Sequence, residues 1–186
     1  MILPIVAYGD KVLREICDDI DANYPDLKEL IKNMWDTMYN ANGVGLAAPQ
    51  INKDIRLFIV DSKAMYDEGE EHLGIKKVFI NATILEESGE EWAFEEGCLS
   101  IPNVREDVLR KPNIKIEYYD EKFKKHVEDF DGMNARVIQH EYDHVEGILF
   151  TDHIKPLKKK LLHKILSDIS RGYTNAKYKM RFPNKK

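Results

Sequence analysis

The sequence predicts an α+β fold: mixed or antiparallel β-sheets around a central helix carrying an H-E-x-x-H motif, with a further C-terminal helix. Three observations predict it. An amphipathic helical pattern comes early, strand-like runs fill the middle, and two more helical patterns come late. The first helix is opened by Pro25, which suits a first turn. Leu27, Leu30, Ile31, Met34, Trp35 and Met38 follow at helical spacing. Residues 55–61, 78–85, 104–109 and 114–119 are rich in β-branched and aromatic side chains and read as strands. Residues 67–74 read as a polar surface loop, and the acidic stretch 86–96 has no clear pattern. Met133, Val137, Ile138, Tyr142 and Val145 give the motif helix a buried side. Asp131 suits its N-cap and Gly147 its C-terminal stop. Leu157, Leu161, Leu162, Ile165, Leu166 and Ile169 make the last helix.

At 186 residues and 43% hydrophobic, the chain is expected to form one domain, 1–186, with 172–186 as a flexible basic tail. No apolar run approaches twenty residues, so no membrane span is expected. Met1-Ile2-Leu3-Pro4-Ile5-Val6 lacks the basic start and long apolar stretch of a secretory signal. Two cysteines argue against a disulfide framework and for a reducing cytoplasm. Charge is unevenly spread: residues 155–186 carry eleven Lys/Arg and one Asp, a formal +10, within a chain of net −5.

The most informative stretch is His140-Glu141-Tyr142-Asp143-His144. Residues four apart share a helix face, so two imidazoles can converge on one divalent metal. Glu141 is beside a ligand and can reach an attacking water without taking a coordination position. The bland alternative is a surface helix with two solvated histidines, and the apolar side of the helix speaks against it. A catalytic site of this kind takes a third protein ligand. H-E-x-x-H-x-x-G begins like a metzincin motif, but the next ligand position holds Phe150, and no Glu follows Glu146. His153, His163, Asp152 and Asp168 remain open, without a supporting pattern. The better candidate is Cys98, in Glu95-Glu96-Gly97-Cys98-Leu99-Ser100. A lone cysteine is usually a small buried hydrophobe; here a preceding glycine and the motif helix some forty residues on favour a ligand. Cys17 has no such company. A third segment, Asn42 to Gln50, has glycines and alanines that let backbone approach a ligand, and Gln50 ends it with a donor amide. It lacks the Lys-Ser/Thr of a phosphate loop, and alone it reads as a tight loop packed on the sheet.

Together, Gly43-Val44-Gly45-Leu46-Ala47-Ala48-Pro49-Gln50, Glu96-Gly97-Cys98-Leu99-Ser100 and Gln139-His140-Glu141-Tyr142-Asp143-His144 closely resemble the three marker segments of the peptide deformylases, in the same order. The resemblance covers the chain from about its first residues to Phe150. It implies hydrolytic removal of the formyl group from the N-terminal formyl-methionine of nascent peptides, releasing formate. It implies metal ligands Cys98, His140 and His144, with Glu141 as proton shuttle. Gln50 and the Leu99 N–H become the stabilisers of the developing oxyanion, and Gly45 a backbone contact for the peptide. The expected native metal is Fe2+, with Zn2+, Ni2+ or Co2+ able to substitute. Val44, Phe94, Met133 and Val137 adjoin the motifs and are candidates for a methionine slot, although core packing alone would account for most of their burial. Arg105 is a candidate contact for peptide backbone or a carboxylate, and Arg136 is open to being only a solvated charge. Asn42 departs from the family, where many relatives carry an acidic residue; a supporting ion pair is thereby in doubt. The basic end suggests contact with ribosomal RNA, as in some relatives, against the simpler reading of a docked helix with a solvated face. Two other functions compete: an H-E-x-x-H metallopeptidase, and a non-catalytic ribosome-associated protein with a structural metal. Glu141 speaks against the second, since a structural site has no use for it.

Overall fold

The structure, a computed structural model, describes residues 1–183. In chain order the elements are β1 (Ile5–Val6), α1 (Leu27–Asn40), β2 (Gly45–Ala47), β3 (Leu57–Asp61), β4 (Lys76–Ser88), β5 (Trp92–Cys98), β6 (Ile101–Arg110), β7 (Asn113–Tyr119), β8 (Lys125–Asp131), α2 (Gly132–Val145), α3 (Pro156–Ser170) and β9 (Met180–Arg181). Five strands form an antiparallel sheet in the order β2-β3-β4-β7-β8. β5 and β6 make a separate antiparallel hairpin, and β1 pairs with β9 in parallel. The α+β expectation holds.

β3 shows how the sheet is clothed. Successive side chains of a strand face opposite ways, and four consecutive residues of β3 are fully buried. Leu57 and Ile59 pack with Ile31, Met34 and Met38 of α1. Phe58 and Val60 pack with Ala135, Val137 and Ile138 of α2. A helix therefore lies on each face, and each such side chain contributes roughly 1.5–3 kcal/mol by burial. β4 breaks its pairing with β7 near Asn81, which adopts a left-handed φ of 50°. The Asn81 side chain accepts from Ile20 N–H at 3.0 Å and donates to Ile20 O at 2.8 Å. Irregularities of this kind bend a long strand.

Three helix boundaries refine the sequence reading. Pro25 lies ahead of α1, because Asp26 takes the cap position with a left-handed φ of 54°. Asp131 occupies the cap of α2 but makes no side-chain capping bond. Gly147 does stop the chain beyond α2: its φ is +71°, and a Cβ there would stand 2.7 Å from Arg14 O.

α2 is enclosed along nearly its whole length, with Asn134 to Gln139, Glu141, His144 and Val145 all buried. The hairpin β5–β6 covers one side of it and turns at Leu99-Ser100, where Cys98 pairs with Ile101 after a register shift. The region expected to be a flexible tail instead returns to the body. Ile5 N–H donates to Lys179 O at 2.9 Å and Ala7 N–H to Arg181 O at 2.8 Å, which completes β1–β9. The last part of that expectation, residues 184–186, falls outside the described residues. Among the described residues no helix is long and apolar enough to cross a membrane.

Candidate active site

α2 presents His140 and His144 one turn apart, with ring centroids separated by 5.3 Å and planes 77° from parallel. Cys98 arrives from the end of β5, and its Sγ lies 3.3 Å from His144 Nε2. One ligand atom from each of the three lies within 4.8 Å of the others. The alternatives to Cys98 are engaged elsewhere or lie apart. His153 binds Asp143, Asp152 binds Arg14 and Lys159, and Asp168 binds Arg171; His163 lies on α3. Phe150, at the place where a metzincin ligand would stand, is buried and stacks on the His140 ring at 6.1 Å. Burial pushes the Cys98 thiol up, but the His144 and His140 imidazoles outweigh it and hold the thiol at about 5. A thiolate and two imidazoles converging within a few ångströms fit a borderline-soft divalent cation.

Behind His140 stands Glu96, almost fully buried. Its Oε2 accepts from His140 Nδ1 at 2.9 Å, which leaves Nε2 as the free lone pair of that ring. Arg110 donates to both Glu96 oxygens, at 2.7 and 3.0 Å, and Arg136 donates to Oε1 at 3.0 Å. Arg110 also reaches Asp143 at 2.8 Å. Burial would raise the Glu96 carboxyl, yet His140 and Arg110 hold it well below the usual carboxylate range. Two guanidiniums and two carboxylates thus balance inside the protein, which buried charge requires. Arg136 corrects the sequence reading. Far from being solvated, it is buried, donates to Val108 O and Trp92 O, and lies 4.4 Å from the Trp92 ring centroid.

The glycine-rich segment packs across the cleft from Cys98 and His140. Gln50 Oε1 accepts from Ala47 N–H at 2.8 Å. That bond turns the amide nitrogen toward Cys98 Sγ, 3.5 Å away, and Ser100 Oγ, 3.3 Å away. Gly45 lies so close to Glu141 that a Cβ would stand 2.7 Å from its carboxyl carbon. Glu141 is buried, its Oε2 has no protein hydrogen-bond partner, and burial lifts its carboxyl to about 7. Asn42 is exposed with a left-handed φ of 54°, a conformation asparagine tolerates better than most residues.

These pieces line one cleft of about 660 Å³. Val44, Gly45, Gln50, Phe94, Cys98, Leu99, Arg105, Met133, Val137, His140 and Glu141 all face it. His144 is buried against Cys98, beneath the cleft surface. Sequence reasoning gave no role to Glu96, Asp143, Arg110, Ser100 or Tyr178. Glu96, Ser100 and Asp143 stand inside the marker segments, which was the one available signal; Arg110 and Tyr178 carry none.

The family model described as Polypeptide deformylase matches residues 2–160. The chain belongs to the peptide deformylase family. A peptide deformylase of Christiangramia forsetii is 59% identical over 193 residues, covering 100% of this chain and 98% of that one. A Flavobacterium psychrophilum peptide deformylase is 56% identical, covering 100% of both. Among solved structures, a Legionella pneumophila peptide deformylase aligns with a TM-score of 0.79 and 36% identity, over 92% of this chain and 96% of that one. A Plasmodium falciparum peptide deformylase in complex with an inhibitor gives 0.77 and 33%, over 90% and 99%. Peptide deformylases are metal-dependent hydrolases that take the N-formyl group from newly made proteins, and that is the activity of this chain. The peptidase and non-catalytic readings are not favoured.

Proposed function

We propose that deformylation runs on Cys98, His140 and His144 as ligands of a single divalent cation, Fe2+ natively, with Glu141 carrying protons. The observation that carries this is the convergence of one sulfur and two imidazoles beside a buried carboxylate in the same cleft. When bound, the cation supplies Lewis acidity and a water acidic enough to ionise near neutral pH. Glu141, with its carboxyl lifted to about 7, takes the proton of the attacking water and gives it to the leaving amine. The formyl carbon–nitrogen bond breaks, formate leaves, and the peptide keeps a free amine. Gln50 Nε2, held in place by Ala47, and the Leu99 N–H at the hairpin turn donate to the oxyanion. One such donor is typically worth about 3–4 kcal/mol in the transition state.

In this reading Val44, Phe94, Met133 and Val137 receive the methionine side chain, since all four face the cleft. The Gly45 backbone meets the peptide, and Arg105, exposed beside Glu95 at the rim, meets backbone or a carboxylate farther along. Residues 1–186 act as one catalytic domain in the cytoplasm, where formylated chains are made. The basic last helix contacts ribosomal RNA; Leu157 and Leu161 are 72% and 76% exposed there among lysines. Lys160→Glu with Lys164→Glu is expected to abolish low-salt co-sedimentation with ribosomes, and unchanged co-sedimentation would refute that contact.

The test of the reaction is formate release from formyl-Met-Ala by protein purified without oxygen, with its metal content measured. Expected are one divalent ion per chain and stoichiometric formate. Cleavage of an unblocked peptide without formate release would overturn the assignment.

A further inference from the structure

The family match ends at residue 160, yet the cleft has a wall made after it: Asn175, Ala176, Lys177 and Tyr178 face the same cavity as the catalytic segments. Of these, Tyr178 makes the most specific contact. Its hydroxyl donates to Leu99 O at 2.7 Å. Its ring packs beside Leu99 against the core formed by α1 and β3. Burial holds the phenol well above its usual range, so it remains a donor at all working pH values.

The carbonyl that Tyr178 engages belongs to the Leu99–Ser100 peptide group. The N–H of that same group, on Ser100, donates to Cys98 Sγ at 3.4 Å. A peptide whose oxygen accepts a hydrogen bond becomes a stronger donor at its nitrogen, because chains of hydrogen bonds polarise one another in a low-dielectric interior. The turn is tied a second time by Tyr8 N–H, which donates to Ser100 O at 2.9 Å, three residues after the β1–β9 pair begins.

We propose that Tyr178 is a positioning residue of the hydrolytic centre: by pinning and polarising the Leu99–Ser100 peptide, it sets the charge on the Cys98 sulfur and the orientation of Leu99. The effect on Leu99 rests on the reading of its N–H as an oxyanion donor; the effect on the sulfur does not. Tyr178 touches neither substrate nor cation in this role. It acts through one peptide group, from a part of the chain outside the family match.

The test is Tyr178→Phe, which keeps the ring and removes the donor. In the zinc-loaded protein, the Ser100 amide proton resonance should move upfield as its hydrogen bond to sulfur weakens. In the cobalt-loaded protein, the sulfur-to-metal charge-transfer band should move to longer wavelength, because a thiolate receiving a weaker hydrogen bond gives up charge more readily. Turnover of formyl-Met-Ala should fall about five-fold with KM unchanged, the size expected from one net hydrogen bond. A folded, metal-replete variant with an unmoved Ser100 resonance and an unmoved cobalt band would overturn the proposal. Moved spectra with unchanged turnover would uphold the action on the sulfur and overturn the claim that Tyr178 sets the orientation of Leu99.

Discussion

Arg110 Nε donates to Glu96 Oε1 over 2.7 Å, in surroundings where both side chains are only 5% exposed. The pair is more than a brace, because Glu96 also fixes the His140 ring through Nδ1 and answers the charge of Arg136. Glu96→Gln takes from Arg136 the carboxylate that answers its charge and leaves Arg110 paired with Asp143. Loss of about 3–5 kcal/mol of stability is expected, read from the urea midpoint. Zinc affinity should fall roughly 10–100-fold, since the ring loses its orienting carboxylate. Wild-type stability in this variant would contradict the described charge balance.

Glu141→Gln keeps the shape of the buried carboxyl and removes its basicity. The variant is expected to bind one metal ion per chain as before. Formate release should drop by about 100–10,000-fold, the range for a lost general acid-base group. Near-normal turnover would sink the proposed proton path.

Gly45→Ala tests the close approach to Glu141. A Cβ at this position would meet the carboxyl of Glu141 at 2.7 Å, and a buried glutamate on an enclosed helix has little room to move. The fold should survive with a loss of about 1–3 kcal/mol from overpacking, while turnover falls far more than metal content. Equal loss of both would point to collapse of the ligand set instead.

Asp152 supplies a pH test away from the cleft. Burial alone would raise its carboxyl, but Arg14, Lys159 and the Leu149 N–H at 3.0 Å hold it well below the usual range. A lowered folded pKa means stability that is present above the unfolded value of about 3.9 and lost as pH falls toward the folded one. Asp152→Asn should therefore be about 1 kcal/mol less stable at pH 7. The gap should narrow below about pH 4 as the unfolded wild-type chain takes up its proton. A gap that stayed constant down to pH 2 in thermal melts would rule the ion pairs out as its source.

What was legible in the sequence was whatever a short stretch decides. The spacing of His140 and His144 on a helix, the buried run of β3, the alternating burial of β7, and Gly147 as a stop are all local. The acidic stretch 86–96 resisted assignment because β5 uses Glu96, a charge, at an inward position where strand alternation leads one to look for an apolar residue. β8 was missed for a related reason: it lies at the sheet edge, and Glu128 faces Lys77 and Tyr118 instead of a greasy layer. The solvated reading of Arg136 failed because its partners come from β5 and β6, far away in the chain. Tyr178 sits 79 residues from the carbonyl it binds, so nothing in its neighbourhood announces the contact.

The union of Ile5 with Met180 and Val6 with Arg181 has an effect on timing. While the chain is being made, β1 must wait for β9, so Cys98, His140 and His144 all exist before the hairpin turn that carries Cys98 is secured. A product cut short after α3 would carry Cys98, His140 and His144 and still lack the contacts of Tyr178 and β9, which makes synthesis past β9 a condition for a firmly seated turn.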